Sequence, residues 1–199
     1  PIMKKLFSLA LALVLSAGCL LAFASCKKEE TLTVYTEAGF APFEYMSGGK
    51  IVGVDVDIME KVGKKLGKKV VFESVNFDSI IDAVSAGKLT NVGAAGISIN
   101  EARKQKVDFS NEYYTAALYV IYKADKASAY ESTTTDNGTT GIYWDSLKGK
   151  KIAVQNGTTS DLFLGDELAE GGTLAGTNAA KVGFADLASA VADVGLNSD

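Results

Sequence analysis

From Thr31 onward, short apolar runs alternate with amphipathic stretches. Leu32-Thr33-Val34-Tyr35 alternates apolar and polar residues, the period of a strand. Ala41-Pro42-Phe43 reads as a loop. Between Asp55 and Lys69, the apolar residues Ile58, Met59, Val62 and Leu66 fall at helical spacing. Val70-Val71-Phe72 predicts a second strand. Asp78 is expected to cap a helix carrying Ile80, Ile81 and Val84, with Gly87 stopping it. Val92 to Ile99 reads as a strand of small residues, Glu101 opens a short helix, and Ala116 to Tyr122 reads as an apolar strand. The order β-α-β-α-β predicts an α/β fold with a parallel sheet.

The second half starts with a polar, low-complexity stretch from Asp125 to Gly141, expected to be an exposed loop. Lys151 to Gln155 restarts a strand. Gly157-Thr158-Thr159-Ser160 leads into a helix with Leu162, Phe163 and Leu168. Leu174 is placed in a further short strand, and Leu187, Ala188 and Val191 in a last helix. The reading is two βα blocks, crossing near residues 114–122, with no internal repeat.

The N-terminus has a different pattern. Met3-Lys4-Lys5 is followed by an apolar run over residues 6–23, then Ala24-Ser25-Cys26 and the polar Lys27-Lys28-Glu29-Glu30. A basic start, an apolar stretch and small residues make a secretory signal. A permanent membrane helix is the competing reading, since the run is long enough to span a bilayer. The small residues before Cys26 and the polar tether after it favour a lipoprotein signal, with Cys26 as the acylated residue. Ser16-Ala17-Gly18-Cys19 is a second, shorter candidate. Either way the folded part is expected outside the cytoplasmic membrane, lipid-anchored at the cell surface or in the periplasm.

Composition narrows the chemistry. The chain has 199 residues and no histidine, and both cysteines, Cys19 and Cys26, lie in the first 26. Ser-His-Asp and Cys-His catalysis are thus excluded, as are zinc sites of His or Cys in the body of the chain. Without residues 1–25, which hold Lys4 and Lys5 and no acid, the net charge moves from −4 to −6. A mildly acidic body with no basic stripe does not suit nucleic acid.

Four constellations remain. Ser98 and Arg103 stand at the end of an expected strand and on the helix after it, where open α/β sheets bind ligands. A guanidinium fork matches a carboxylate, and a hydroxyl adds a further bond. The chain uses arginine only once, which singles Arg103 out. A surface ion pair with Glu101 or Asp108 is the alternative. Gly157-Thr158-Thr159-Ser160 offers backbone N–H groups and hydroxyls to an anion, or simply caps a helix. Phe40, Phe43 and Phe77 stand at loops or helix starts, where rings can hold a ligand, although Phe43 reads as core. Asp55 and Asp57 are read as helix-start acids rather than a metal site. Tyr113 and Tyr114 are read as hinge packing.

In order, the chain carries Ala41-Pro42-Phe43-Glu44-Tyr45, Gly53-Val54-Asp55-Val56-Asp57-Ile58, Gly87-Lys88, and Ala94-Ala95-Gly96-Ile97-Ser98-Ile99 with Glu101 and Arg103. Val107-Asp108-Phe109-Ser110, Tyr113-Tyr114, Leu147-Lys148-Gly149-Lys150 and Val154-Gln155-Asn156-Gly157-Thr158-Thr159 follow. This ordered set resembles the family 3 periplasmic solute-binding proteins, the polar amino-acid receptors of ABC importers, from about Thr31 to Thr159. The resemblance implies a two-lobed, type II α/β fold closing on a ligand. It implies a signal at residues 1–25, a tether at 26–30, a first lobe at 31–116 and an incomplete second lobe at 117–199.

By the same resemblance, Arg103 holds the ligand α-carboxylate, helped by Ser98 and the backbone around Thr159, Thr158 joins the ligand-binding residues, and the Gly96 carbonyl receives the α-ammonium. Phe40 and Phe77 flank the ligand side chain, Glu37 lies near its far end, and Gln155 lines the second lobe. The partners implied are a free amino acid and a transporter permease, with no cofactor, no metal and no nucleic acid; a monomer is expected. The chain departs from the family pattern at Leu89-Thr90-Asn91, where an acid usually follows Gly-Lys, and in its long 125–141 loop. Other functions to weigh are a lyase resembling cyclohexadienyl dehydratase, with Glu37 as its acid, and an extracytoplasmic ligand sensor.

Overall fold

The computed structural model describes residues 30–130, 132–134 and 138–197. The expected signal at residues 1–25, with Cys19, and nearly all of the expected tether, with Cys26, lie outside the described residues. In chain order the elements are β1 (Thr31–Thr36), β2 (Gly39–Phe40), β3 (Glu44–Ser47), β4 (Lys50–Val52), α1 (Val54–Leu66), β5 (Lys69–Ser74), α2 (Phe77–Ala86) and α3 (Glu101–Lys104). The second half adds β6 (Ser132–Thr134), β7 (Thr140–Ile142), β8 (Lys151–Gln155), α4 (Thr159–Leu168), β9 (Ala180–Phe184) and α5 (Leu187–Asn197). No helix among the described residues is long and apolar enough to cross a membrane.

Strands β1 and β5 pair in parallel, Val34 opposite Phe72, with α1 as the crossover between them. A parallel pair needs such a crossover because a tight turn cannot reverse the chain twice. Helix α1 buries Val56, Met59 and Gly63, so its buried face is rotated from the expected one; Val62 and Leu66 are exposed. A side chain at Gly63 would collide with the Val70 methyl 2.2 Å away, so glycine lets the helix sit directly on β5. The first core gathers Tyr35, Ile80 and Ala95 with Phe77, Val84 and Ile97 around them.

The second block repeats this plan. Strands β8 and β9 pair in parallel, Ala153 opposite Val182, with α4 between them in sequence. Its core is Leu147, Val154, Leu164 and Leu174, with Trp144 and Ile152 packed against it. The Trp144 indole stacks on Phe163, with ring centroids 5.9 Å apart. Two separate cores, each under its own parallel pair, make the chain mixed α/β.

Several expectations fail for identifiable reasons. Val92 to Ile99 makes only one bridge, Tyr35 to Gly93, because Gly96 turns the backbone to a φ of 54° and ends the ladder. Ala116 to Tyr122 forms no strand; no neighbouring strand pairs with it among the described residues, and Leu118, Tyr119 and Ile121 are exposed. Leu174 is core, but it lies in a turn closed on α4 by its N–H to the Glu167 carbonyl. Asp78 is not a cap: Asn76 takes that position, without a side-chain bond. The 125–141 stretch contains a 3₁₀ turn over Ala124–Ala129 and the hairpin β6–β7. Thr90 accounts for the departure at Leu89-Thr90-Asn91: its buried hydroxyl donates to the Thr33 carbonyl at 2.6 Å and accepts from Val92 N–H at 3.0 Å. It thereby ties the segment to β1 without an acid.

Candidate functional site

Arg103 organises the site. It lies on α3, whose start is fixed by Asn100: the Asn100 side chain accepts the Arg103 backbone N–H at 2.9 Å. Its side chain is driven inward, and the residue is only 6% exposed. The guanidinium donates to the Ser98 carbonyl at 2.7 Å and to the Gly157 carbonyl at 2.8 Å. It also lies over the Phe77 ring, 5.6 Å from its centre. Glu101 pairs instead with Lys104, and among the described residues no acid forms an ion pair with Arg103. Burial lowers the tendency of this group to stay charged. A buried cation held only by neutral carbonyls and a ring face keeps a field for an added anion.

Gly157 brings the second block to this point. Its φ is 73°, and a Cβ there would lie 2.8 Å from the Asp78 Cα at the start of α2. Only glycine lets the turn before α4 approach α2 this closely. The turn is itself braced. The Gly157 N–H donates to Asp161 at 2.8 Å, and Lys181 pairs with the same carboxylate. Burial raises the Asp161 carboxyl, but the Lys181 and Gly157 hydrogen bonds outweigh it and hold it below its ordinary range. Thr158 is a helix cap: its hydroxyl donates to the Gln155 carbonyl at 2.7 Å and accepts from Asp161 N–H. Thr159 opens α4. The Gly157 N–H and the Thr158 hydroxyl are thus both engaged within the turn.

The remaining residues fall around this pair of contacts. Ser98 is exposed, and its carbonyl rather than its hydroxyl meets Arg103. The Phe40 ring lies beside Gly96, where a Cβ would sit 3.3 Å from its edge, and it stacks on Phe43 at 5.6 Å. Phe43 is half-buried and meets Tyr114 edge-on at 4.9 Å. Glu37, just past β1, is half-buried, which pushes its carboxyl up; a hydrogen bond from Gln155 opposes the shift and nearby Asp186 adds to it. Gln155 is buried and donates to the Ala185 carbonyl at 3.3 Å.

Asp55 stands in the first turn of α1, as the sequence predicts, but its carboxylate is turned inward. It does not cap α1; its buried carboxylate accepts from Gly96 N–H at 2.8 Å and from the Tyr113 hydroxyl at 2.7 Å. Sequence reading missed Glu44, which lies buried next to Asp55, and the Asp161–Lys181 brace. Glu44 carried a signal, an acid between the aromatic residues Phe43 and Tyr45. Asp161 looks like any acid in the first turn of a helix. No group of His, Cys, Asp and Glu among the described residues is arranged to hold a metal.

Known proteins resemble this chain in sequence and in fold. A "Probable histidine-binding protein" of Campylobacter jejuni is 35% identical over 132 residues, 66% of this chain and 46% of the relative. The "Arginine-binding extracellular protein ArtP" of Bacillus subtilis is 32% identical over 133 residues, 67% of this chain and 47% of the relative. The chain therefore spans about half the length of these relatives. Among solved structures, the ancestral amino acid-binding protein AncCDT-1, a precursor of cyclohexadienyl dehydratase, superposes with a TM-score of 0.68 at 31% identity, covering 85% of this chain and 67% of that one. Holo ArgBP from T. maritima gives a TM-score of 0.68 at 28% identity, over 83% of this chain and 64% of that one. Residues 32–192 match the family described as bacterial extracellular solute-binding proteins, family 3, and the chain belongs to that family.

Proposed function

We propose that this chain binds a free amino acid between its two α/β blocks and delivers it to the permease of an ABC transporter. The observation that carries this is Arg103: a buried guanidinium, free of acid partners among the described residues, at the meeting of Ser98 and Gly157. A zwitterion needs one fixed cation for its carboxylate and carbonyl acceptors for its ammonium. Arg103 serves the first and the Gly96 carbonyl the second. Ser98 and the turn at Thr158 and Thr159 complete the carboxylate end. Phe40 and Phe77 flank the ligand side chain. Glu37, with Gln155 beside it, faces the far end and favours a polar or cationic side chain, in line with relatives named for histidine and arginine.

The chain acts as a receptor and not as an enzyme. Residues 31–116 and 117–199 form its lobes, and it works as a monomer. Outside the described residues, Cys26 carries the lipid anchor after removal of residues 1–25, which places the receptor outside the cytoplasmic membrane. The second reading, a lyase, is favoured by one observation: the Glu37 carboxyl is pushed up, as a general acid requires. Turnover of a cyclic dienyl acid by the purified chain would establish that reading and sink ours.

The test is thermal melting with each standard amino acid. A ligand at a hundred times its Kd adds about 2.7 kcal/mol by mass action. We expect one or a few amino acids to raise the Tm, and Arg103→Ala to abolish the rise while the variant still melts cooperatively. A melt that no amino acid moves refutes the receptor reading for this chain.

A further inference from the structure

Behind Gly96 lies a cluster that ligand contact does not explain. Glu44 and Asp55 are each only 1% exposed. Both Asp55 oxygens are engaged as acceptors: Oδ2 takes the Gly96 N–H and Oδ1 takes the Tyr113 hydroxyl. Glu44 stands against Asp55, and its Oε2 is buried with no donor to satisfy it. The groups facing Glu44 are Asp55 from the start of α1, Glu37 from the loop just past β1, and Tyr113 from the connecting segment. None is a cation, and among the described residues no lysine or arginine pairs with Glu44 or Asp55.

Two carboxyl groups in contact, out of water and without a cation, cannot both ionise. One must keep a proton, and hydrogen bonding identifies which. Asp55 receives two donors and so is the anion. Glu44 has an oxygen that lacks a donor, and a proton there turns it into a donor toward Asp55.

We infer that Glu44 and Asp55 form a one-proton acid pair in which Asp55 is a positioning residue for the site, pinning the Gly96 elbow to the Tyr113 connecting segment. Gly96 departs into the left-handed region at this point, so the hydrogen bond to its N–H sets the direction in which its carbonyl leaves. That carbonyl is the ammonium acceptor of the proposed function, and the positioning role rests on that reading; the proton-sharing does not. Tyr113 joins the same carboxylate from the segment linking the two blocks. One buried charge thereby holds both an element of the site and the start of the connection.

Glu44 is pushed up to about 9, first by burial and then by Asp55. A group raised in the folded state binds its proton more tightly there than when unfolded. Its stabilising contribution is therefore full below the unfolded value of 4.5 and is lost as pH rises to about 9. The Tm of the natural chain should thus fall relative to Glu44→Gln across that window, since the Gln amide donates to Asp55 at every pH.

Infrared spectroscopy of the purified chain, with no ligand added, tests the pair directly. We expect a protonated-carboxyl carbonyl band at pH 7 that disappears in Glu44→Gln and on raising the pH well past 9. No such band at pH 7, or one that survives in Glu44→Gln, overturns the proton-sharing. Hydrogen exchange tests the positioning. In Asp55→Ala the Gly96 amide should exchange about tenfold faster or more, while the Ala94 amide, bonded to the Tyr35 carbonyl, keeps its protection. If Asp55→Ala does not fold, Asp55→Leu, which fills the space and likewise has no acceptor, is read the same way. A Gly96 amide as slow as in the natural chain, or one lost together with Ala94, overturns the positioning role. These readouts need no ligand, so they stand or fall separately from the amino-acid melts.

Discussion

A guanidinium taken out of water needs its fork filled, and Arg103 fills part of its fork with carbonyls from two distant segments, Ser98 and Gly157. Charge alone does not reproduce this, because a lysine ammonium lacks the planar pair of donors. Arg103→Lys should therefore weaken amino-acid binding by about tenfold to a hundredfold, the cost of a charged hydrogen bond, with a smaller loss of stability; calorimetric titration measures it. Glu37 makes a second prediction at this scale. Its carboxyl is held above the ordinary range, so it gains its proton at a higher pH than a free glutamate. A cationic ligand such as L-arginine favours the ionised form. Its affinity should drop as pH falls through that raised range, and Glu37→Gln should flatten the profile.

The turn between β8 and α4 shows how an element carries a side chain's effect. Gly157 holds a φ of 73° against Asp78, and Asp161 with Lys181 braces it. Gly157→Ala forces a left-handed alanine, costing about 1–2 kcal/mol, and should push the turn off α2, so amino-acid affinity drops more than the Tm suggests. Asp161→Ala leaves the Gly157 N–H without its acceptor; urea unfolding should show a loss of about 1–3 kcal/mol.

Elements with a strong period were legible in the sequence: β1, β5, α2 and α5 all form about where the pattern places them. The hairpin β3–β4 was missed although Gly48-Gly49 between Met46 and Ile51 is a turn signal, and both glycines take positive φ. The 116–122 strand failed because apolarity sets a demand for burial but does not supply a partner. Arg103 stands out in the sequence by its rarity, and the structure buries it. Its contact with Gly157 was not legible there, since no local pattern brings together residues 54 positions apart.

On the whole molecule, the apolar residues Leu118, Tyr119, Val120 and Ile121 lie together on the surface. Such a run is a template for pairing with another chain. The exposed run should bind an apolar dye, and Leu118→Ser with Ile121→Ser should reduce the dye fluorescence. The two cores set a further consequence. The chain has a single tryptophan, and its indole leans on Phe163 and the second core, remote from Tyr35 and Ile80 in the first. Light emitted from that indole therefore reports on one half of the protein only. A melt followed by tryptophan emission and one followed by backbone circular dichroism will coincide only if the two halves come apart together.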